Sequence, residues 1–288
     1  MKRIHFLKAV WCDIILLEQD NSYALIDTGY ENQKEEIITY LKERSIKSLD
    51  FIFITHFHRD HYGSLETLLD TIPIQTVYIK PYSGLDGKTA TGQLSDENYR
   101  QTEMNYYQKL CQKIKEKSNL VEITKTSKTI SWNQIELHLY NTENKLKTIF
   151  DDMTHPYYQQ YKISENFNSC GILLTYQNKK IYLASDLTDY KTEEKDLVCC
   201  NYEIAKQIQS VDVYKSAHHG LDNCNTDNTL KQLLPMITVT TNTKDYIMNT
   251  STYLSRIKQF RNDAKIYSTE DETIIVNLDT LQVTAYKN

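Results

Sequence analysis

The sequence predicts an α/β fold, and three observations predict it. Short apolar runs rich in Ile, Leu and Phe, of which Phe51-Ile52-Phe53-Ile54 is the clearest, read as strands buried on both faces. An amphipathic stretch over 31–44, with Ile37, Ile38 and Leu41 at helical spacing, stands between two such strands. The same strand–loop–helix alternation then returns in the second half of the chain, as expected of a partly parallel sheet.

Taken in order, residues 3–8, 14–18 and 23–27 read as consecutive strands, with Gln19-Asp20-Asn21-Ser22 turning between the last two. The helix 31–44 follows, then a strand over 51–55, a short helix from Ser64 to Leu69 and a strand over 76–80. Gly84, Gly87 and Gly92 mark a loop, after which Ser95-Asp96-Glu97 opens a helix to about Lys117 with an acidic first turn. Residues 134–140 alternate as a half-buried strand. The stretch 151–165 sets Tyr157, Tyr158 and Tyr161 beside Asp151 and Asp152, and reads equally as a solvated loop or as a cover over a site. Strands 172–176 and 180–185, helix 194–209, strand 211–217, helix 226–233, strand 236–240, helix 250–260 and closing strands 273–278 and 281–286 complete the pattern.

At 288 residues the chain can bury a large core. No Pro- or Gly-rich linker, repeat or low-complexity block divides it, which favours one domain over 1–288. A net charge of −5 argues against broad binding of a phosphate backbone, although the 33 Lys and Arg leave room for a local basic groove. A small-molecule or phosphodiester partner is expected ahead of a nucleic acid, and no membrane partner. The run Ile4–Leu17 is broken by Lys8 and Asp13, so it is neither a signal core nor a span. The six cysteines form no disulfide framework or Cys-x-x-Cys pattern, and a reduced, cytoplasmic protein is expected.

The chemistry is concentrated in Thr55-His56-Phe57-His58-Arg59-Asp60-His61, which holds three of the chain's eight histidines and directly follows the 51–54 strand. Borderline-soft ions such as zinc favour imidazole nitrogen with some carboxylate oxygen. In α/β sheets such a site sits in the loop leaving a strand's C-terminal end. The spacing lets His56 and His58 face one point while Asp60 and His61 face a neighbouring one, so two ions side by side are expected. Asp186 closes another apolar strand, where an unpaired carboxylate is costly unless a cation neutralises it.

These residues resemble the metallo-β-lactamase superfamily, whose metal signature is His-x-His-x-Asp-His, and more narrowly its ComEC-like branch, which includes phosphorylcholine esterases. The resemblance extends to Tyr23-Ala24-Leu25-Ile26-Asp27-Thr28-Gly29, Asn166-Phe167-Asn168-Ser169, Ile181–Asp186, Lys215-Ser216-Ala217-His218-His219-Gly220 and the tail Ile266–Asp271 with Ile274–Val276. Four of the seven glycines, Gly29, Gly63, Gly171 and Gly220, lie within these segments or two residues beyond them. The resemblance implies an αββα four-layer sandwich, with an insertion at about 81–165 for which a cover over the active site and a solvated loop both stay open. It implies two divalent ions, zinc or alternatively manganese, with Asp186 bridging them. His56 and His58 would serve the first ion, and Asp60, His61 and His219 the second. His218 would then be an outer or substrate-facing residue, the reverse assignment of His218 and His219 staying open. Asp27 would orient a ligand histidine.

The chain departs from the superfamily pattern in having no histidine in the loop before residue 170. His155 is too far upstream to fill that place, which leaves the Asn166 or Asn168 amide as weak donors. Leu221 and Tyr246-Ile247-Met248 also depart from the branch, and they leave the substrate open. The implied activity is a metal-dependent hydrolase, foremost a phosphodiesterase acting through a metal-bound hydroxide. Asp60 would orient the nucleophile, and His218 with Lys215 would meet an anionic substrate or leaving group. Lactone or thioester hydrolysis, and a catalytically weak metal-stabilised regulatory module, are the rival readings.

Overall fold

The structure is a computed structural model that describes residues 2–86, 97–144, 164–191 and 196–287. Two sheets lie face to face. The larger has eight strands in the order β17-β16-β1-β2-β3-β4-β5-β6. Its strands are β1 (Lys2–Phe6), β2 (Ile14–Gln19), β3 (Ser22–Thr28), β4 (Leu49–Ile54), β5 (Ile74–Ile79), β6 (Asn119–Glu122), β16 (Thr273–Asn277) and β17 (Val283–Tyr286). The second has seven, in the order β15-β14-β13-β10-β9-β8-β7. They are β7 (Thr129–Trp132), β8 (Ile135–Tyr140), β9 (Gly171–Tyr176), β10 (Lys179–Leu183), β13 (Val213–Lys215), β14 (Ile237–Thr240) and β15 (Lys265–Ser268). A two-stranded ribbon of β11 (Asp189–Lys191) and β12 (Asp196–Cys199) stands apart.

Alternation along the strands makes three apolar layers. In β4, Phe51 and Phe53 point between the sheets, where they meet Ile26, Leu137, Ile172, Leu174 and Leu183. The intervening Ile52 and Ile54 point outward beneath α1 (Lys34–Glu43), α3 (Leu65–Thr71) and α4 (Glu97–Lys117), against Ile37, Leu41, Leu65, Leu68, Leu110 and Ile114. This is why the run is apolar at every position: both faces are covered. On the far side, Leu173, Tyr182 and Tyr214 face α5 (Cys200–Ile208), α6 (Asp227–Leu233) and α7 (Tyr253–Phe260) through Ile204, Leu230, Leu233 and Ile257. Helix, sheet, sheet, helix is the expected four-layer sandwich.

Differences from the sequence reading fall where periodicity is weak. The helix expected over 31–44 begins as a 3-10 turn, Glu31–Gln33, before α1. The helix expected over 194–209 starts only at Cys200, because β12 occupies 196–199. Strands β6 and β7 were not expected; each is a four-residue edge strand with mostly solvated side chains, too short to alternate visibly. Within the span 81–165 expected as an insertion, α4, β6, β7 and β8 belong to the layers themselves. Gly87, Gly92, Ser95, Asp96, Asp151, Asp152, His155, Tyr157, Tyr158 and Tyr161 lie outside the described residues. Among the described residues no helix is long and apolar enough to cross a membrane.

Strands β3, β4 and β5 run parallel in one sheet, and β10, β13 and β14 in the other. Their C-terminal ends share one rim, and the loops that follow β4, β10 and β13 meet there. A four-residue helix, α2 (Arg59–Tyr62), carries the second half of the histidine motif. It closes on Gly63, where a Cβ would come within 2.5 Å of the Arg59 carbonyl, 2.6 Å of the Glu31 nitrogen and 2.7 Å of the Gly29 carbonyl. All three neighbours are backbone and cannot swing aside. Gly63→Ala is therefore expected to cost about 1–3 kcal/mol of stability by overpacking. A urea midpoint equal to the wild type would show that α2 can part from the 29–31 turn at no cost.

Candidate metal centre

Four side chains converge where the two sheets meet. One ligand-type atom from each of Asp60, His61, Asp186 and His219 lies within 4.8 Å of all the others. His219 Nε2 is 3.2 Å from Asp60 Oδ2 and 3.5 Å from Asp186 Oδ2, and His61 Nε2 is 3.4 Å from Asp186 Oδ1. Asp186 is 1% exposed, yet its Oδ1 has no hydrogen-bond partner, and neither does His61 Nε2. Buried polar atoms are ordinarily paired, so orphaned atoms of this kind turned toward one another call for a cation. The residues present therefore fit a divalent ion.

His56 and His58 form the adjoining pair. His56 Nε2 stands 3.1 Å from His58 Nδ1, and the His56 ring centroid is 4.1 Å from that of His61. The reason is local: His58 takes an extended conformation (φ −113°, ψ 149°) before α2 begins, so the ring two residues after His56 returns to the same side.

Strained turns deliver the other groups. Asp27 has φ 58°, and Gly29, φ 60°, follows so closely on Ile14 that a Cβ there would lie 2.8 Å from its side chain. His218 and His219 are both left-handed, with φ 44° and 52°. Consecutive non-glycine residues in that region are costly and persist where the surroundings over-determine them. Here the following Gly220 has φ 88°, and a Cβ on it would meet Thr240 Cγ2 at 2.5 Å. The turn sends His219 inward, 2% exposed, and His218 to the rim, its side chain 24% exposed with Nε2 3.7 Å from Asp186 Oδ2.

The outward nitrogens of these rings are held from behind. Asp27 Oδ2 accepts from His61 Nδ1 at 2.7 Å, while its two oxygens also accept from the Thr55 N–H and Oγ1, each at 2.8 Å. Asp27 thus sits where an orienting carboxylate was expected. His219 Nδ1 donates to Thr241 Oγ1 at 2.8 Å, and that hydroxyl donates to Asp13 Oδ1 at 2.8 Å. Asp13 in turn is paired with the Lys215 ammonium. The expectation that Lys215 meets a substrate is corrected by this placement: its side chain is fully buried and its charge is spent on Asp13, behind His219.

The loop 164–168 arrives as a 3-10 turn capped by Ser164, whose Oγ accepts from the Asn166 N–H. Asn166 Nδ2 lies 3.2 Å from His218 Nε2, and its buried Oδ1 has no partner. Asn168 Nδ2 donates to the Pro81 carbonyl and to Glu165, while its Oδ1 is likewise unpartnered. Both amides therefore lie in the loop beside the site, and only Asn166 touches a histidine of it.

Charge follows from this crowding. Burial opposes protonation of His61, but Asp186, Asp27 and Asp60 outweigh it and raise its pKa well above the ordinary value. His219, also against burial, is pushed up to about 10 by Asp186 and Asp13. Burial with the neighbouring His61 and His58 holds His56 well below the ordinary range, and burial lowers His218. Although burial disfavours their charge, Asp60 and Asp186 are held low by the surrounding imidazoles. The centre behaves as a compact anionic nest that draws in positive charge from whatever source is present.

Sequence reasoning missed Asp13, Thr241, Asp86 and Glu165. Asp13 carried a signal, a charge directly before the apolar run Ile14–Leu17; a buried charge requires a partner. Asp86 stands in a Gly-flanked loop with no periodicity to mark it.

Comparison with known proteins bears on the fold. Residues 10–110 match the family model described as the metallo-beta-lactamase superfamily. The chain superposes on the metallo-beta-lactamase fold protein YhfI from Bacillus subtilis with a TM-score of 0.54 at 10% identity, covering 93% of this chain and 96% of that one. The fold is that of the metallo-β-lactamase superfamily. A second structure, Igni18, a metallo hydrolase from the archaeon Ignicoccus hospitalis, superposes with a TM-score of 0.51 at 14% identity over 96% of this chain and 99% of its own. By sequence, 64 residues are 39% identical to the uncharacterized protein YobT of Bacillus subtilis (strain 168). That match spans 22% of this chain and 27% of YobT.

Glu165 provides a test of the packing around this site. It is fully buried, and burial raises its carboxyl from the ordinary 4.5 to about 7, while Ser83 and Asn168 donate to it. Between these two pH values the folded state holds a proton that the unfolded chain has released. The contribution of Glu165 to stability must therefore fall as pH rises from about 4.5 to about 7, by roughly 3 kcal/mol, and stay low above that. Glu165→Gln, which cannot ionise, is expected to lack this fall. Urea midpoints of the two chelator-treated proteins across that range check it, and parallel profiles would show that Glu165 titrates normally.

Proposed function

We propose that the chain is a metal-dependent hydrolase whose foremost substrates are phosphodiesters. The observation that carries this reading is the convergence of Asp60, His61, Asp186 and His219, with His61 Nε2 and Asp186 Oδ1 left unpartnered. His61, Asp60 and His219 would hold one ion, His56 and His58 a second, and Asp186 both. Imidazole-rich ligation favours zinc, and the oxygen-rich complement leaves manganese as the alternative. Divalent ions held side by side supply Lewis acidity and a water acidified toward neutrality.

The chain's own groups do the rest. Asp60 stays ionised at neutral pH and is the most solvent-reachable of the four converging groups, its side chain 18% exposed, so it can accept a hydrogen bond from an incoming water and aim it. His218 at the rim is kept neutral by burial and can donate to an anionic substrate oxygen or its leaving group. Asp27 and the Thr241–Asp13 pair fix the tautomers of His61 and His219, so that each presents Nε2 to the centre. The phosphodiester preference rests on the resemblance to the ComEC-like branch, and the acidic net charge favours a small substrate over a nucleic acid. Cys12, Cys111, Cys170 and Cys224 are free and buried, which supports a reducing, cytoplasmic compartment.

Metal content by mass spectrometry, with turnover of bis-nitrophenyl phosphate, nitrophenyl phosphorylcholine, a thioester and a lactone, tests the reading. Phosphodiester turnover that follows metal content is expected. Thioester or lactone turnover alone would replace the substrate class, and bound metal with no turnover would point to the regulatory module. Asp186→Ala is expected to lose metal and activity together, whereas Asp27→Asn is expected to keep most metal and lose activity by about 10–100-fold. Stoichiometric metal in Asp186→Ala would remove Asp186 from the bridging position.

A further inference from the structure

His58 is backed by a carboxylate that belongs to none of the sequence motifs. Its Nε2 lies 3.2 Å from Asp86 Oδ2, and its other nitrogen, Nδ1, faces His56 Nε2 at 3.1 Å. The two nitrogens are on opposite flanks of the ring. Asp86 therefore cannot share an ion with Nδ1, and it stands to His58 as Asp27 stands to His61 and as Thr241 with Asp13 stands to His219. Asp86 is itself held in place. Its Oδ1 accepts from the Glu165 N–H at 2.9 Å, and its carbonyl accepts from Arg100 Nη1 at 3.2 Å. Glu165 closes the circuit by accepting from the Ser83 N–H at 3.2 Å and from Asn168 Nδ2 at 2.8 Å. Its other oxygen accepts from Ser83 Oγ. Loop 81–86 and loop 164–168 are thus laced together at the ring they support.

We propose that Asp86 is the positioning residue of the His56–His58 ion position: it accepts the His58 Nε2–H, fixes the tautomer that leaves Nδ1 bare, and turns that nitrogen inward. This rests on the proposed metal centre. A carboxylate on the outer nitrogen of a ligating imidazole raises its basicity and fixes its orientation, and removing such a partner typically costs about 10–100-fold in metal affinity. At this position the effect is concentrated, because among the described residues the loop before residue 170 brings no third imidazole. Asp86 strengthens one of the two rings that are there.

Asp86→Asn keeps an oxygen for the Glu165 N–H while removing the charge opposite His58. Its weaker-held ion is expected to be lost to a chelator at about 10–100-fold lower chelator concentration than in the wild type, with the other ion unchanged. Ser83→Ala serves as the comparison, since it loosens the same loop without touching His58; it is expected to retain both ions as the wild type does. Equal losses in the two variants, or none in Asp86→Asn, would overturn the assignment in favour of a purely structural tether. Long-range proton–nitrogen spectra of the metal-free, histidine-labelled wild type provide a readout that needs no ion. Neutral His58 is expected as the Nε2–H tautomer, shifting toward Nδ1–H in Asp86→Asn, and Nδ1–H already in the wild type would refute the proposal. A wild type that binds no metal while showing the Nε2–H tautomer would instead sink the metal centre and leave the Asp86–His58 bond standing.

Discussion

The structure around the rim depends on one electrostatic constraint: Asp13, Asp27 and Asp186 are each 1% exposed, and Asp60 lies against Asp186. Ionised carboxylates in so dry a place are tolerable only beside positive charge. Among the described residues a single permanent cation, Lys215, is paired there, and it is committed to Asp13. Everything else must come from imidazoles or from bound ions. The left-handed backbone at Asp27, His218 and His219 is what this arrangement costs in conformational strain, since it brings rings and carboxylates from separate strands to one point.

Each inner ring nitrogen is set by what lies behind the ring. His61 leans on Asp27, and His219 on Thr241 and through it on Asp13. Among the described residues His56 has only the Thr55 and Ser185 hydroxyls near its Nδ1, both at 3.3 Å. The backing is graded, then, from carboxylates behind His61 and His58 to neutral hydroxyls behind His56. Such grading lets chemically identical side chains differ in basicity within a few ångströms.

Much of this was legible in the sequence wherever a residue type and a period agreed. The 51–54 run and the histidines after it located the strand and its loop, and Asp186 was found because a carboxylate ending an apolar strand needs an explanation. That His219 turns inward and His218 to the rim, which motif alone left open, follows from backbone angles that only Gly220 hinted at. Lys215 was misread because a lysine at a strand end looks available, whereas its partner Asp13 is 202 residues away in sequence. Asp86 and Glu165 were invisible for the same reason: pairings between two irregular loops leave no periodic trace. Short edge strands such as β6 and β7 gain their pairing from neighbours rather than from their own side chains, so local pattern could not announce them.

The centre also straddles a seam. His56, His58, Asp60 and His61 hang from the larger sheet, and Asp186 and His219 from the smaller. An ion shared between them would act as a clasp at the open end of the sandwich, with the unfolded chain unable to offer the same grip. By mass action, an ion at about 100 times its dissociation constant would add roughly 2.7 kcal/mol to the folded state. That is a sizeable fraction of what holds an ordinary domain together. In a cell starved of the metal, the first quantity to fall would then be how much of the protein survives proteolysis, with turnover per surviving molecule falling afterwards.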